Sequence, residues 1–128
     1  MQSWYWDLND RTRAFAKRFY ARRQRMPNDN QVALYSSVRH YLDAVARAGT
    51  DEAGVVTKAM REAPIHDVFT DDGTIRRDGR VLYDRYLMRV KTSSDSKYPW
   101  DYLAVVAKIP VAEAFRPPGA GGCPLGAQ

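Results

Sequence analysis

Residues 81–109 read VLYDRYLMRVKTSSDSKYPWDYLAVVAKI, two apolar-rich runs separated by a polar segment. Val81 to Lys91 and Tyr102 to Ile109 are rich in β-branched and aromatic side chains, the types that fit a pleated, half-buried surface. Between them Thr92 to Trp100 is polar and contains Pro99, which suits the surface loop of an antiparallel hairpin. Asp71-Asp72-Gly73 and Asp78-Gly79 are turn signals just upstream. Downstream, from Arg116, RPPGAGGCPLGAQ has no period and predicts an extended or disordered tail.

Before the turn signals the apolar period is helical. A first helix is expected over 10–25, capped by Asn9 or Asp10 and broken by Met26-Pro27, with Thr12, Phe15 and Phe19 as its core stripe and Ala16 and Tyr20 alongside. A second is expected over 31–48, with Leu34, Val38, Tyr41, Leu42 and Val45 as its apolar stripe and Gly49 as its stop. A third, over 51–63, would be capped by Thr50, carry Asp51 and Glu52 in its first turn, turn Val55, Val56, Ala59 and Met60 inward, and end at Ala63-Pro64. The fold class is therefore α/β: two to three helices, then a β-hairpin and an irregular tail. A lone two-stranded sheet is marginal and leaves a face uncovered, so the arrangement reads as a piece of a larger α/β protein.

Composition narrows the classes. The 128 residues are 45% apolar and 27% charged, enough for one core and far from the disordered corner. No apolar run approaches the roughly 18–20 residues that span a bilayer. The opening Met1-Gln2-Ser3-Trp4-Tyr5-Trp6-Asp7 lacks the parts of a secretory signal, so none is expected within this sequence. One cysteine and two distant histidines give no zinc spacing, and no metal or other cofactor is expected. The net charge of +5 is local: residues 1–25 hold seven basic and two acidic groups, and the rest hold 13 of each. Most of those arginines fall opposite the core stripe of the first helix, which reads as a solvated basic face.

Read in order, a set of segments resembles one family. They are Tyr5-Trp6-Asp7-Leu8-Asn9-Asp10 with Thr12-Arg13-Ala14-Phe15; Ala33-Leu34-Tyr35-Ser36-Ser37-Val38 with His40-Tyr41-Leu42; and Ala48-Gly49-Thr50-Asp51. Further on come Asp78-Gly79-Arg80, Tyr86-Leu87-Met88-Arg89-Val90-Lys91, Ser96-Lys97, Pro99-Trp100-Asp101-Tyr102, Ile109-Pro110, Glu113-Ala114-Phe115-Arg116-Pro117 and Cys123-Pro124-Leu125. Each piece is weak alone, but the ordered set is specific. The chain resembles the periplasmic solute-binding proteins of ABC importers, branched-chain amino acid (leucine-binding) class, with the type I periplasmic-binding fold.

The resemblance implies two α/β lobes with a cleft ligand, of which this sequence is similar to a C-terminal portion. It places residues 1–9 in an interlobe crossing, 10–99 in the C-terminal part of lobe 1, 100–115 in a return crossing toward lobe 2, and 116–128 in a flexible tail. It implies a small amino-acid-like or aromatic carboxylate solute, an ABC permease as membrane partner, and a periplasmic location. It also leaves room for Cys123 to pair with a cysteine elsewhere in a longer protein.

Aromatic walls hold ligands in such clefts, so Tyr5 and Trp6 at the crossing and Tyr35 and Ser36 on the second helix are the candidate solute contacts. Core packing is the competing role for Tyr35, and packing rather than binding is expected of Trp100. No catalytic residues are expected: Ser36, Ser37 and His40 share a helix without an acidic partner, and no G-x-S-x-G elbow occurs. His66 reads as solvent-exposed, and Asp71, Asp72 and Asp78 as turn residues. The alternative is a small basic interaction module that uses helix 11–25 on nucleic acid or an acidic partner.

Overall fold

The computed structural model describes residues 1–120 and 122 of the chain; Cys123 and its expected pairing lie outside the described residues. In order, the elements are α1 (Asp10–Arg23), α2 (Asp29–Ala48), α3 (Ala53–Glu62), β1 (Thr74–Ile75), β2 (Val81–Leu82), β3 (Arg85–Val90), β4 (Leu103–Ile109) and α4 (Val111–Ala114). No described helix is long and apolar enough to cross a membrane.

Local chemistry sets the helix ends. Asn9 caps α1 through a reciprocal box: its side chain accepts from the Thr12 amide, and the Thr12 hydroxyl accepts from the Asn9 amide at 3.0 Å. Thr12 is buried, and the same hydroxyl donates to the Asn9 carbonyl at 2.9 Å, so none of its polarity is wasted. The helix ends at Gln24 in the left-handed region, before the expected Met26-Pro27 break. Asn28 and Gln31 form the corresponding box on α2, which starts at Asp29, earlier than expected, and stops at left-handed Gly49. On α3 the cap is Glu52 rather than Thr50: its two carboxylate oxygens accept from the Gly54 and Val55 amides, which lowers its pKa.

The buried cluster is Trp4, Phe15, Val32 and Val68, flanked by half-buried Trp6, Phe19 and Phe69. Thr12, Phe15 and Ala16 face it from α1 as the sequence predicts. The face of α2 is different. Its buried residues are Val32, Ser36, His40 and Ala44, whereas Leu34, Val38, Tyr41 and Leu42 of the expected core stripe are exposed, Leu34 to 66% and Leu42 to 57%. On α3, Val56 is buried but Val55 is exposed. The reason is steric. The small residues Ser36 and Ala44 let α2 approach its neighbours, and His40 donates from Nε2 to the Met60 carbonyl at the end of α3, 2.9 Å away. The bulky apolar side chains are left on the opposite surface.

The run expected as one strand over 81–91 is two. β2 pairs with β1, and after Tyr83-Asp84 the chain turns so that β3 pairs with β4, both antiparallel. Asp84 holds that corner, accepting from the Val111 amide at 3.1 Å and pairing with Lys108 at 2.6 Å. A bulge between Leu87 and Met88 shifts the β3–β4 register. Gln2 adds an isolated bridge to Tyr86, so the N-terminal segment lies against β3. Gly73 bridges Ile65, and a Cβ there would come within 2.6 Å of the Thr70 methyl, so only glycine fits without a shift.

The β1–β2 turn is braced by Arg76, whose Nε and Nη2 donate to the two oxygens of Asp78 at 2.9 and 2.6 Å. That guanidinium holds the Asp78 pKa down at about 2, against an ordinary 3.8. A carboxylate whose folded pKa is depressed adds stability that is present above its unfolded pKa and is lost as pH falls through the folded one. Asp78→Asn is therefore expected to flatten the fall in urea midpoint between pH 3.8 and about 2. A residual slope should persist, since Arg89 and Lys91 lower the pKa values of Asp95 and Asp101 as well. An unchanged profile would show that this pair does not contribute.

Candidate functional site

Trp4, Tyr5 and Trp6 lie on the irregular segment before the α1 cap, and they face two ways. Trp4 turns into the core, donating from Nε1 to the Val68 carbonyl at 2.8 Å and meeting Phe15 edge-on. Tyr5 and Trp6 face the 92–102 loop. The Tyr5 hydroxyl donates to the Trp100 carbonyl at 3.0 Å and accepts from the amides of Tyr102 and Leu103 at 3.1 and 3.3 Å. Trp6 Nε1 donates to that same Trp100 carbonyl at 3.1 Å. One backbone oxygen thus takes both polar tips.

That convergence requires an unusual backbone. Trp100 has φ +72°, in the left-handed region that a bulky residue rarely adopts. The following residue secures it. Asp101 is only 1% exposed, and its carboxylate accepts from Lys91 Nζ at 2.5 Å and from the Lys97 amide at 3.0 Å, tying the loop across the hairpin. Lys91 and then the Lys97 amide lower the Asp101 pKa, so the clamp is charged at neutral pH. At the loop's outer side the Tyr98 hydroxyl donates to the Asp7 carboxylate, which pushes the Tyr98 pKa up to about 12.

Between these parts lies a cavity of about 330 Å³ walled by Trp4, Tyr5, Trp6, Trp100 and Tyr102, with Met26, Pro27 and Asn28 on the side of α2. Its walls are mainly aromatic, and Gln2, Asn28 and Asp29 add polar groups to the lining. The Tyr5 and Trp6 tips are already used on the Trp100 carbonyl, so these two residues present ring faces. Among the described residues no group of three or more metal-ligating side chains occurs.

The candidate residues fall in two places. Tyr5 and Trp6 come together in this cavity. Tyr35 instead packs on Phe15, ring centroids 5.1 Å apart, in a separate groove with Phe19 and three arginines. Ser36 is 3% exposed on the inner face of α2 and opens onto neither. Trp100, read from the sequence as a packing residue, both packs against Tyr20 and Tyr102 and walls the cavity. Its neighbours Pro99 and Asp101 are the visible signal of a fixed loop, but the left-handed Trp between them is not legible from residue types.

Helices and a hairpin with an uncovered apolar helix face, joined to an aromatic cavity at the segment 4–6, make a partial fold of the periplasmic-binding kind. The comparisons give the family. The periplasmic binding protein family profile matches residues 1–97, so the chain belongs to that family. A branched chain amino acid ABC transporter periplasmic ligand-binding protein from Burkholderia xenovorans LB400 is 42% identical over 97% of this chain, with a TM-score of 0.91. A periplasmic binding protein from Burkholderia mallei is 44% identical over 89%, with a TM-score of 0.86. An amino acid ABC transporter substrate-binding protein from Pseudomonas fluorescens Pf-5, 24% identical over 94% with a TM-score of 0.79, shares the fold. The chain covers 33%, 30% and 32% of those proteins, about a third of each. No curated protein sequence matches it.

Proposed function

We propose that this chain supplies part of the solute-binding component of an ABC importer in the periplasm, with a membrane permease as its partner. The solute is a small amino-acid-like or aromatic carboxylate molecule. The observation that carries the reading is the aromatic cavity where Tyr5, Trp6 and Trp100 meet, in a chain belonging to the periplasmic binding protein family. In this reading residues 1–9 and 100–115 are interlobe crossings, 10–99 belong to lobe 1, and the described part of 116–128 is a tail. The task is binding rather than catalysis: the solute stabilises a closed state by bridging two lobes. Tyr5 and Trp6 form one wall, and the polar groups that choose the solute come from the remainder of the fold.

The chain alone is accordingly expected to give no calorimetric heat with leucine or 4-hydroxybenzoate. Exchanged for the matching third of the Burkholderia xenovorans relative, it is expected to yield a cooperatively melting chimaera. That chimaera should bind the parent's solute within about tenfold of the parent, and Trp6→Ala should weaken binding about tenfold or more. Micromolar binding by the chain alone, or a folded chimaera that does not bind, would overturn the reading. Parent-level binding by the Trp6→Ala chimaera would remove Trp6 from the site.

A further inference from the structure

The arginines of α1 fall into two sets. Arg11 pairs with Asp71, and Arg13 with Asp7 and Asp10 at 2.8 and 2.7 Å. Among the described residues Arg18, Arg22 and Arg23 have no carboxylate within 4.0 Å. These three rim a groove of about 340 Å³ between α1 and the first turns of α2. Its floor is aromatic: Phe15 and Phe19 stack at 6.4 Å, Tyr35 lies at 5.1 Å from Phe15, and the Arg18 guanidinium sits 6.0 Å from the Phe15 centroid. The groove shares no residue with the cavity at Tyr5 and Trp6.

We infer that this groove docks an acidic segment of a partner protein, with an apolar side chain on the aromatic floor and flanking carboxylates on Arg18, Arg22 and Arg23. Charge and shape select that occupant. Three cations line the groove and no anion does, so an anionic guest is required, and guanidinium forks match carboxylates in a bidentate manner. A nucleic-acid strand would need a basic track along its phosphates. Exposed Lys17 and Arg25 extend the charge beyond the groove, but Arg11 and Arg13 at the N-terminal end of α1 are neutralised by aspartates, and the aromatic floor favours a guest that also carries an apolar side chain. Phe15 is buried, and the Arg18 guanidinium already lies over its ring, so it offers no free face for base stacking. The inference stands apart from the solute-binding reading, since it uses neither Tyr5 nor Trp6.

Fluorescence anisotropy of a labelled Glu-Glu-Phe-Asp-Glu-Leu peptide, titrated with the full chain at low salt, tests it. Saturable binding is expected. It should weaken about tenfold or more in the Arg22→Gln, Arg23→Gln double variant, and several-fold in Tyr35→Ala or when the peptide's phenylalanine becomes serine. Circular dichroism matching the parent shows that the exposed-site variants remain folded. No saturable binding would overturn the inference. So would indifference to both Tyr35→Ala and the serine peptide, which would mean charge alone, or a labelled oligothymidylate that binds at least as tightly.

Discussion

Trp4→Ala is expected to leave the chain largely unfolded at room temperature. Trp4 is 2% exposed, and it ties the N-terminal segment, α1 and the 65–70 loop together. Truncating a buried aromatic costs about 3–5 kcal/mol. The Val68 carbonyl would also lose its donor, which adds about 1–3 kcal/mol if it stays buried. Domains typically hold about 5–15 kcal/mol in total, and a cluster of four buried side chains belongs at the low end. Trp4→Phe keeps a ring against Phe15 and loses the hydrogen bond and part of the volume, so it should remain folded with a lower urea midpoint. Far-UV circular dichroism and urea titration separate the outcomes. A Trp4→Ala chain with a near-parental midpoint would show that the core is not organised around this residue.

What the sequence made legible and what it hid follow one physical division. Asn9 and Gly49 announce helix ends because capping is local: a side chain or a left-handed backbone satisfies groups a few residues away. The turn at Asp78-Gly79 is legible for the same reason. Periodicity also shows correctly that α2 has an apolar face, but it cannot say whether that face has a neighbour. Here the inner face is the one with Ser36, His40 and Ala44, chosen by how closely α1 and α3 approach. Likewise the apolar run 81–91 gives no hint of its break, because Asp84 is drawn to Val111 and Lys108 by contacts far along the chain. Of the candidate site, Tyr5 and Trp6 lie half-buried at the cavity, and both were legible as aromatics at the expected crossing. Trp100 was not, since its role depends on a left-handed backbone held by Lys91 and Asp101.

Replacing Leu34, Val38 and Leu42 together by glutamine is expected to leave the stability of the chain almost unchanged while sharply reducing its self-association. All three are exposed in this structure, on one surface of α2 with Tyr41. Exposed substitutions away from special features shift stability by about 0.5 kcal/mol or less, and glutamine is a good helix former. Had the stripe been the core, each leucine alone would cost about 2–5 kcal/mol, and the triple variant could not fold. The two predictions differ by several kcal/mol, well outside the error of a urea titration. A contiguous apolar surface of this kind is also what drives association in water. Sedimentation velocity should therefore show the parent associating with concentration and the triple variant remaining monomeric. Under the proposed function the same substitutions acquire the opposite consequence once the remaining two thirds of the fold is present. In the chimaera with the Burkholderia xenovorans relative the stripe is expected to be covered, and the triple substitution should cost several kcal/mol there. A variant that is neutral in both settings would mean that α2 presents this face to solvent in the complete fold as well, and the assignment of residues 10–99 to a lobe packed through α2 would fail.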